Sequence, residues 1–414
     1  MVFKYKDEGK EVKRYLTYDD VNIVPKYSEL KSREDVKLNT RFTKNTELTI
    51  PIVASPMDTV TEVDMAKEML EWGGVGVIHR FMSIEKQSQM MKSVWKIWDS
   101  YFNIGQNMGD DDSERTIEKE WDEWWKSVKH WNHPPTKSDW KDLKERFFFA
   151  DSMIRDEKIW SKRPLCAAVG VTGDYLERAR ELVWNGCNVI LIDVAHGHHK
   201  LVGDAIEEIK NDISEIEVVA GSVATGNGAK FLCEKGADAL RVGIGNGSLC
   251  ETRIRTGVGL PQVTALLDVC SVADGYNVPV IADGGIRNVG DVCKGLGSGA
   301  DTIMVGSLLS GTKESPGTIE KKGQWPNEQL FKKYRGSASL DSKLDRGEEK
   351  NVEGNHKVIP YKGKVKRIIG DIEDGIRSSC SYVGASNLEE YRSLVEFVEV
   401  TRAGQVEAQP HLLS

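Results

Sequence analysis

The segment Gly243-Ile-Gly-Asn-Gly-Ser-Leu-Cys250-Glu-Thr252-Arg253 sets a cysteine and a threonine directly after three glycines in five residues. Glycine adopts backbone dihedrals closed to other residues, so such a turn can aim several amides or carbonyls into one small volume. Amides would cradle a phosphate, and carbonyls would hold a monovalent cation. A thiol beside converging backbone dipoles loses its proton more readily, and the thiolate is a strong nucleophile. Thr252, two residues on, offers a hydroxyl to hydrogen-bond a departing or attacking group. A cysteine after a glycine turn also serves structural ends, so the other polar residues at strand ends must be weighed with it.

Asp283-Gly284-Gly285 and Gly306-Ser307 have the makeup of the phosphate site that follows the seventh and eighth strands of a (β/α)8 barrel. Asp283 can accept hydrogen bonds from ribose hydroxyls, and Asp193 can do the same for the ribose of a dinucleotide. Either aspartate alone would also fit a loop cap. His79, His196 and His198 lack a carboxylate partner at metal-ligand spacing, which speaks against a zinc-type site. No G-x-G-x-x-G follows a strand, so a Rossmann cofactor fold is not indicated.

These residues need a scaffold, and the chain supplies one. Short apolar, β-branched runs cover Ile50–Ser55, Val75–His79, Leu165–Gly170, Val189–Val194, Val218–Gly221, Leu240–Gly243, Val278–Asp283 and Thr302–Gly306. Amphipathic stretches such as Tyr175–Asn185 and Lys200–Asp212 separate them. Continuous apolar strands alternating with helices predict a buried parallel sheet, and eight units predict a closed TIM-type (β/α)8 barrel rather than an open sheet. Chemistry then belongs at the carboxyl ends of the strands, where Ser55, Asp193, Gly243, Asp283 and Gly306 fall.

Between the second and third runs, residues 95–161 break the rhythm. Eight of the eleven tryptophans lie there, Trp121, Trp124 and Trp125 among them, amid dense charge, with Pro134-Pro135 as a break. This predicts an inserted helical subdomain that divides the barrel into residues 1–94 and 162–414. Its tryptophans are read as packing, against the barrel or in a subunit contact, rather than as a ligand platform. Residues 311–363 are polar and glycine-rich, too long for a plain connector, which suggests a mobile functional flap or a solvated loop. Ile368–Val400 returns to an amphipathic helix and a strand.

At 414 residues with a formal net charge of -8 and an isoelectric point of about 5.7, the chain offers no basic face for nucleic acid. Its seven cysteines are scattered without a C-x-x-C pair, as in a reduced, cytosolic protein. The first residues carry no apolar signal-peptide core, and no run approaches the ~18 apolar residues of a membrane span.

Taken together, the motifs Leu16-Thr-Tyr-Asp-Asp-Val21, Ser55-Pro-Met-Asp-Thr-Val-Thr-Glu62, Gly73-Gly-Val-Gly-Val-Ile-His79, Asp193-Val-Ala-His-Gly197, Gly243–Arg253, Thr256-Gly-Val-Gly-Leu-Pro-Gln262, Ile281-Ala-Asp-Gly-Gly285 and Val305-Gly-Ser307 resemble the IMP dehydrogenase/GMP reductase family. The resemblance covers nearly the whole chain except the insertion. It implies that Cys250 attacks C2 of a purine nucleoside 5′-monophosphate while a nicotinamide exchanges hydride at the same carbon. By motif, Ser55 and Met57 would meet base and ribose, Asp283 the ribose, and Ser248, Gly285, Gly306, Ser307 and Tyr334 the phosphate. Asp193, Gly243 and Gly245 would face the dinucleotide, and the carbonyls of Gly245, Gly247 and Cys250 a potassium ion. Asn246 departs from the family, which usually has proline or serine there. A homo-tetramer is also implied.

Two reactions share this chemistry. The dehydrogenase oxidises IMP with NAD and hydrolyses the adduct, using an Arg-Tyr pair on its flap to activate water. Here Arg346 is followed by Gly347, and Gly336–Ser339 with Gly347–Gly354 look like bacterial GMP reductases. In that reading Glu353 pairs with Thr252 to protonate departing ammonia, and NADPH reduces the adduct. Against it, Gly73–His79, Met82–Glu85, Lys333–Gly336 and Arg402–Gly404 are dehydrogenase-like. The insertion stands where dehydrogenases carry CBS modules but reads like none. The sequence expectation is therefore a GMP reductase, with IMP dehydrogenase as the alternative and an inactive nucleotide-binding regulatory barrel as the alternative of another class.

Overall fold

A computed structural model describes residues 5–7, 10–12, 14–107, 163–324, 327–340 and 352–408. The chain divides into two compact units, Met1–Val94 with Pro164–Ser414, and Trp95–Arg163. The barrel belongs to the first. Trp121, Trp124 and Trp125 lie outside the described residues, as does Arg346.

Eight parallel strands close into a barrel: β1 (Ile52–Ala54), β2 (Val75–Ile78), β3 (Cys166–Val169), β4 (Val189–Asp193), β5 (Glu217–Val223), β6 (Ala239–Val242), β7 (Val280–Asp283) and β8 (Thr302–Val305). Neighbours in sequence are neighbours in space, and β8 pairs with β1. The barrel predicted from the apolar runs is the observed one. Helices alternate with the strands as α1 (Val63–Glu71), α2 (Ile84–Asn107), α3 (Tyr175–Trp184), α4 (Lys200–Asp212), α5 (Gly226–Glu234), α6 (Gln262–Ala273) and α7 (Val289–Gly297). Helix α4 illustrates why: Val202, Ala205, Ile206 and Ile209 recur at helical spacing and are buried, and the His199 ring accepts from Leu201 N at 3.1 Å as its cap.

The amino-terminal mouth is plugged. A hairpin pairs Thr40–Arg41 with Glu47–Leu48, and Phe42 and Leu48 join the barrel's inner cluster with Val53, Val77, Leu191 and Ile281. Buried Glu217, the first residue of β5, ties the hairpin down. Its carboxylate accepts from the hydroxyls of Thr43 (2.7 Å) and Thr46 (2.5 Å) and from Asn45 N (2.9 Å).

At the other mouth, the chain after β8 forms an antiparallel sheet of β9 (Glu320–Lys322), β10 (Gln329–Arg335) and β11 (His356–Pro360). The polar stretch read as a flap or loop is thus partly regular sheet, because Gln329–Arg335 alternates and pairs with Lys357 and its neighbours. Lys332 is buried and donates to the carbonyls of Thr312 (2.9 Å) and Ser315 (2.5 Å). Lys362 donates to Ser307 O at 2.7 Å, and Arg335 pairs with Asp58 at 2.6 Å. Three cationic side chains therefore moor this sheet to the barrel rim. Helix α8 (Val365–Val383) then packs Val365, Ile369, Ile372, Ile376 and Cys380 inward, and Phe397–Glu399 pairs with Val21–Ile23. All seven cysteines are unpaired thiols. Among the described residues no helix is long and apolar enough to cross a membrane.

Glu217→Ala would leave two buried hydroxyls and a backbone N–H without an acceptor, a cost of roughly 2–4 kcal/mol. Chemical denaturation is expected to show a lower midpoint, with turnover close to native because Glu217 sits at the mouth opposite the polar strand ends. An unchanged midpoint would mean that the plug is held by its apolar contacts alone.

Candidate active site

Side chains on one face of a strand recur every second residue. The buried inner cluster contains Val53, Val77, Leu191, Val219, Ala239, Ile281 and Met304. Two positions further along the same strands stand Ser55, His79, Asp193, Gly221, Arg241, Asp283 and Gly306. The pleat that fills the barrel with aliphatic side chains thus delivers polar groups and glycines to its carboxyl mouth. A cavity of about 370 Å³ opens there.

Charge at the cavity floor is shared. Arg241, on β6, lies 2.8 Å from Asp193 and 3.8 Å from Asp283, while Arg80 Nε lies 3.7 Å from Asp193. Burial alone would favour a neutral guanidine, but the two carboxylates outweigh it and raise the Arg241 pKa. Burial pushes the Asp283 carboxyl above its ordinary range, Arg241 pulls it back, and Asp193 adds to the rise. Gly221 makes the layer possible: a Cβ there would stand 2.5 Å from the Arg241 carbonyl and 2.6 Å from its Cβ. Arg80 Nε is buried beyond hydrogen-bond distance of an acceptor, and its pairing with Asp193 is ionic alone.

The cysteine turn leaves β6 with Gly243 at φ +150° and Gly245 at φ +81°. A Cβ on Gly243 would stand 1.9 Å from the Asp283 carbonyl oxygen; only glycine passes. Cys250 is half-buried on the cavity wall, and a short helix, Thr252–Thr256, starts just after it. The thiol donates to Thr252 Oγ1 at 3.2 Å, and that hydroxyl donates to Glu353 Oε2 at 2.8 Å. Backbone pairing brings Glu353 in from 101 residues away. Glu251 N donates to Glu353 O (2.7 Å), Asn355 N to Leu249 O (3.1 Å), and Glu353 N to Ala338 O (3.1 Å). Gly354 bridges both Cys250 and Ser339.

A second corner joins the turn to β10. Ser248 Oγ and Tyr334 OH lie 3.0 Å apart; burial, eased by Ser248 and reinforced by Asp283, raises the Tyr334 phenol pKa. Ser55, Met57, Ser248 and Tyr334 line the cavity together with Asp193, Gly243, Gly245, Gly247, Cys250, Thr252, Asp283 and Glu353. Gly285, Gly306 and Ser307 are not among the residues that line it. A Cβ on Gly306 would meet Met57 Sδ at 3.3 Å and Tyr334 OH at 3.5 Å, and Gly285, at φ +80°, backs onto Tyr18. Ser307 donates to Ile286 O at 3.3 Å. The carbonyls of Gly245, Gly247 and Cys250, named from the sequence for potassium, are neutral oxygens of the type that binds a monovalent cation. Gly247 O takes one hydrogen bond, from Cys250 N at 3.1 Å, and keeps a second lone pair. No group of three or more His, Cys, Asp or Glu gathers as metal ligands among the described residues. His198 packs on Phe231 instead, with centroids 5.3 Å apart.

Sequence reasoning missed Arg241, Arg80 and the Asn246–Gln262 contact. For Arg241 a signal existed: a lone cation in the apolar run Ala239–Val242, in register with the inner face. For Arg80 and Gln262 only folding supplies the neighbours.

A model of the IMP dehydrogenase/GMP reductase domain matches residues 15–411. The inosine-5′-monophosphate dehydrogenase of Nitrosopumilus maritimus is 35% identical over 97% of this chain and 99% of its own. That of Cryptosporidium parvum is 37% identical over 97% and 96%. Among solved structures, a cysteine-to-alanine variant of the GMP reductase of Trypanosoma brucei, in complex with guanosine 5′-monophosphate, superposes with a TM-score of 0.79 at 31% identity, covering 97% of this chain and 98% of that one. With the barrel, the glycine-lined cysteine turn and these likenesses on nearly its full length, the chain belongs to the IMP dehydrogenase/GMP reductase family of oxidoreductases.

Proposed function

We propose that the chain is a GMP reductase, converting GMP and NADPH to IMP, ammonia and NADP through a Cys250 adduct at purine C2. The observation that carries this reading is the hydrogen-bond chain from the Cys250 thiol through Thr252 to Glu353. Its polarity suits both halves of an amine displacement. A proton passed from sulfur to Thr252, with the Thr252 proton passed to Glu353, leaves a thiolate to attack C2 and a neutral carboxyl beside it. Handed back from Glu353 to Thr252 and from the Thr252 hydroxyl to the amine, that proton completes the departing ammonia as the C2–N bond breaks and the sulfur–C2 bond remains. The nicotinamide supplies the hydride that takes the amine's place at C2, after which the sulfur departs.

The remaining wall would hold the two nucleotides. Ser55 and Met57 would meet the base and ribose, Asp283 the ribose hydroxyls, and Ser248 and Tyr334 the phosphate, with Gly285, Gly306 and Ser307 behind them. Asp193, Gly243, Gly245 and the Arg80 side chain would face the dinucleotide. Potassium would rest on the carbonyls of Gly245, Gly247 and Cys250 and fix the turn that carries the thiol. The relatives named as IMP dehydrogenases favour a second reading, oxidation of IMP with NAD followed by hydrolysis. That reaction requires a base for water, and the acid–base group that adjoins the thiol through Thr252 is Glu353. A homo-tetramer is part of the proposal, consistent with exposed Ile254 and Val258 beside the cysteine turn.

Absorbance of the reduced nicotinamide decides between the readings. Loss of NADPH with GMP is expected, whereas NADH formation with IMP as the sole activity would overturn the reductase. Cys250→Ala should abolish turnover while GMP still binds in a calorimetric titration; residual turnover at the native rate would exclude the covalent route. Glu353→Gln should lower kcat by about 10²-fold or more with a smaller change in KM, and a native kcat would remove Glu353 from the proton path. Light scattering should give a mass near four chains, and a monomer mass would refute the tetramer.

A further inference from the structure

A glycine-rich turn has little conformational preference of its own, so contacts outside its backbone must hold it. Within Gly243–Gly247 the one polar side chain is Asn246. Its amide nitrogen donates to Gln262 Oε1 and, at 3.2 Å, to the Asp283 carbonyl. Gln262, only 2% exposed, donates to the carbonyls of Val242 (2.7 Å) and Asp283 (3.1 Å). Carbonyl oxygens only accept, so both amides must turn their NH2 groups to the strand ends, which leaves Gln262 Oε1 for Asn246. All four N–H bonds of the two amides are then used, and the Asp283 carbonyl uses both lone pairs.

This network joins the last residues of β6 and β7, the first residue of α6, and the centre of the cysteine turn. Gly284, at φ +88°, leaves space for it: a Cβ there would stand 2.6 Å from Asn246 Oδ1. Proline and serine, the usual residues of the family at this position, carry no amide and could not build it. A part-buried network in which every amide N–H is used is stiff, and removing one member leaves the others without partners.

We propose that Asn246 is a positioning residue, whose amide lock with Gln262 and the Asp283 carbonyl holds the cysteine turn, and hence Cys250, in fixed relation to the Asp283 carboxylate. The proposal rests on the reading of Cys250 as the nucleophile. The lock acts on the chemical step more than on nucleotide affinity, because Tyr334 and the Asp283 carboxylate stand on other strands and remain in place without it.

Kinetics are measured with whichever pair turns over, GMP with NADPH or IMP with NAD, on Asn246→Ala, Gln262→Ala and the double variant. Iodoacetamide labelling of Cys250 and melting temperature are followed alongside. Asn246→Ala is expected to lower kcat by about tenfold or more while the nucleotide KM moves less than about threefold. Cys250 should label several-fold faster at a near-native melting temperature, and the double variant should lose little beyond the worse single one, as members of one network do. A kcat and labelling rate within about twofold of native, or losses that multiply in the double variant, would overturn the lock. Should Asn246→Ala fail to fold, Asn246→Ser is judged by the same measures. Cys250→Ala separates the two ideas: turnover in that variant sinks the nucleophile, whereas an inactive Cys250→Ala beside a native-like Asn246→Ala sinks only the lock.

Discussion

Asp193, Arg241 and Asp283 share one inward-facing layer, and the barrel mouth is organised around the pairing of that single guanidinium with two carboxylates. A closed parallel barrel has no room for an uncompensated charge at its core, since burial disfavours the ionised form of each group. Strands β4, β6 and β7 each contribute one member, so the ion cluster forms only when the barrel closes in the correct register. Gly221 on the intervening strand lets β5 and β6 approach closely enough. The cluster presents its remaining carboxylate oxygens to the cavity, where Arg80 adds a second cation.

Above this floor, the hydrogen-bonded chain of Cys250, Thr252 and Glu353 is assembled from two distant segments. The cysteine turn leaves β6, and the stretch around Gly354 returns from the sheet moored by Lys332, Lys362 and Arg335. Neither segment alone makes an acid–base pair. Backbone bonds from Glu251 to Glu353 and from Asn355 to Leu249 set them side by side, and the Thr252 hydroxyl then has a thiol on one flank and a carboxylate on the other. The mooring matters because a few backbone bonds contribute little, whereas the buried contacts of Lys332 with the Thr312 and Ser315 carbonyls are costly to break.

The two mouths divide the labour of the fold. At the amino end, polar groups such as Glu217 are spent within the protein on Thr43, Asn45 and Thr46. At the carboxyl end, Arg80 Nε is buried without an acceptor, and the glycines keep backbone groups within reach of the cavity.

Much of this was legible in the residues. The eight apolar runs, their helical spacers and the glycine turn before Cys250 follow from local propensity and side-chain period, which depend on neighbours a few residues apart. Ser55, Asp193 and Asp283 could be named because they stand at the carboxyl ends of those runs, within the motifs that carry the family resemblance. What only the tertiary structure decided are the pairings across long sequence separations: Arg241 between two aspartates, Glu353 on Thr252, and Asn246 on Gln262. Each depends on strand register and on how the chain after β8 folds back over the rim, quantities set by the sum of many weak contacts and written in no single motif.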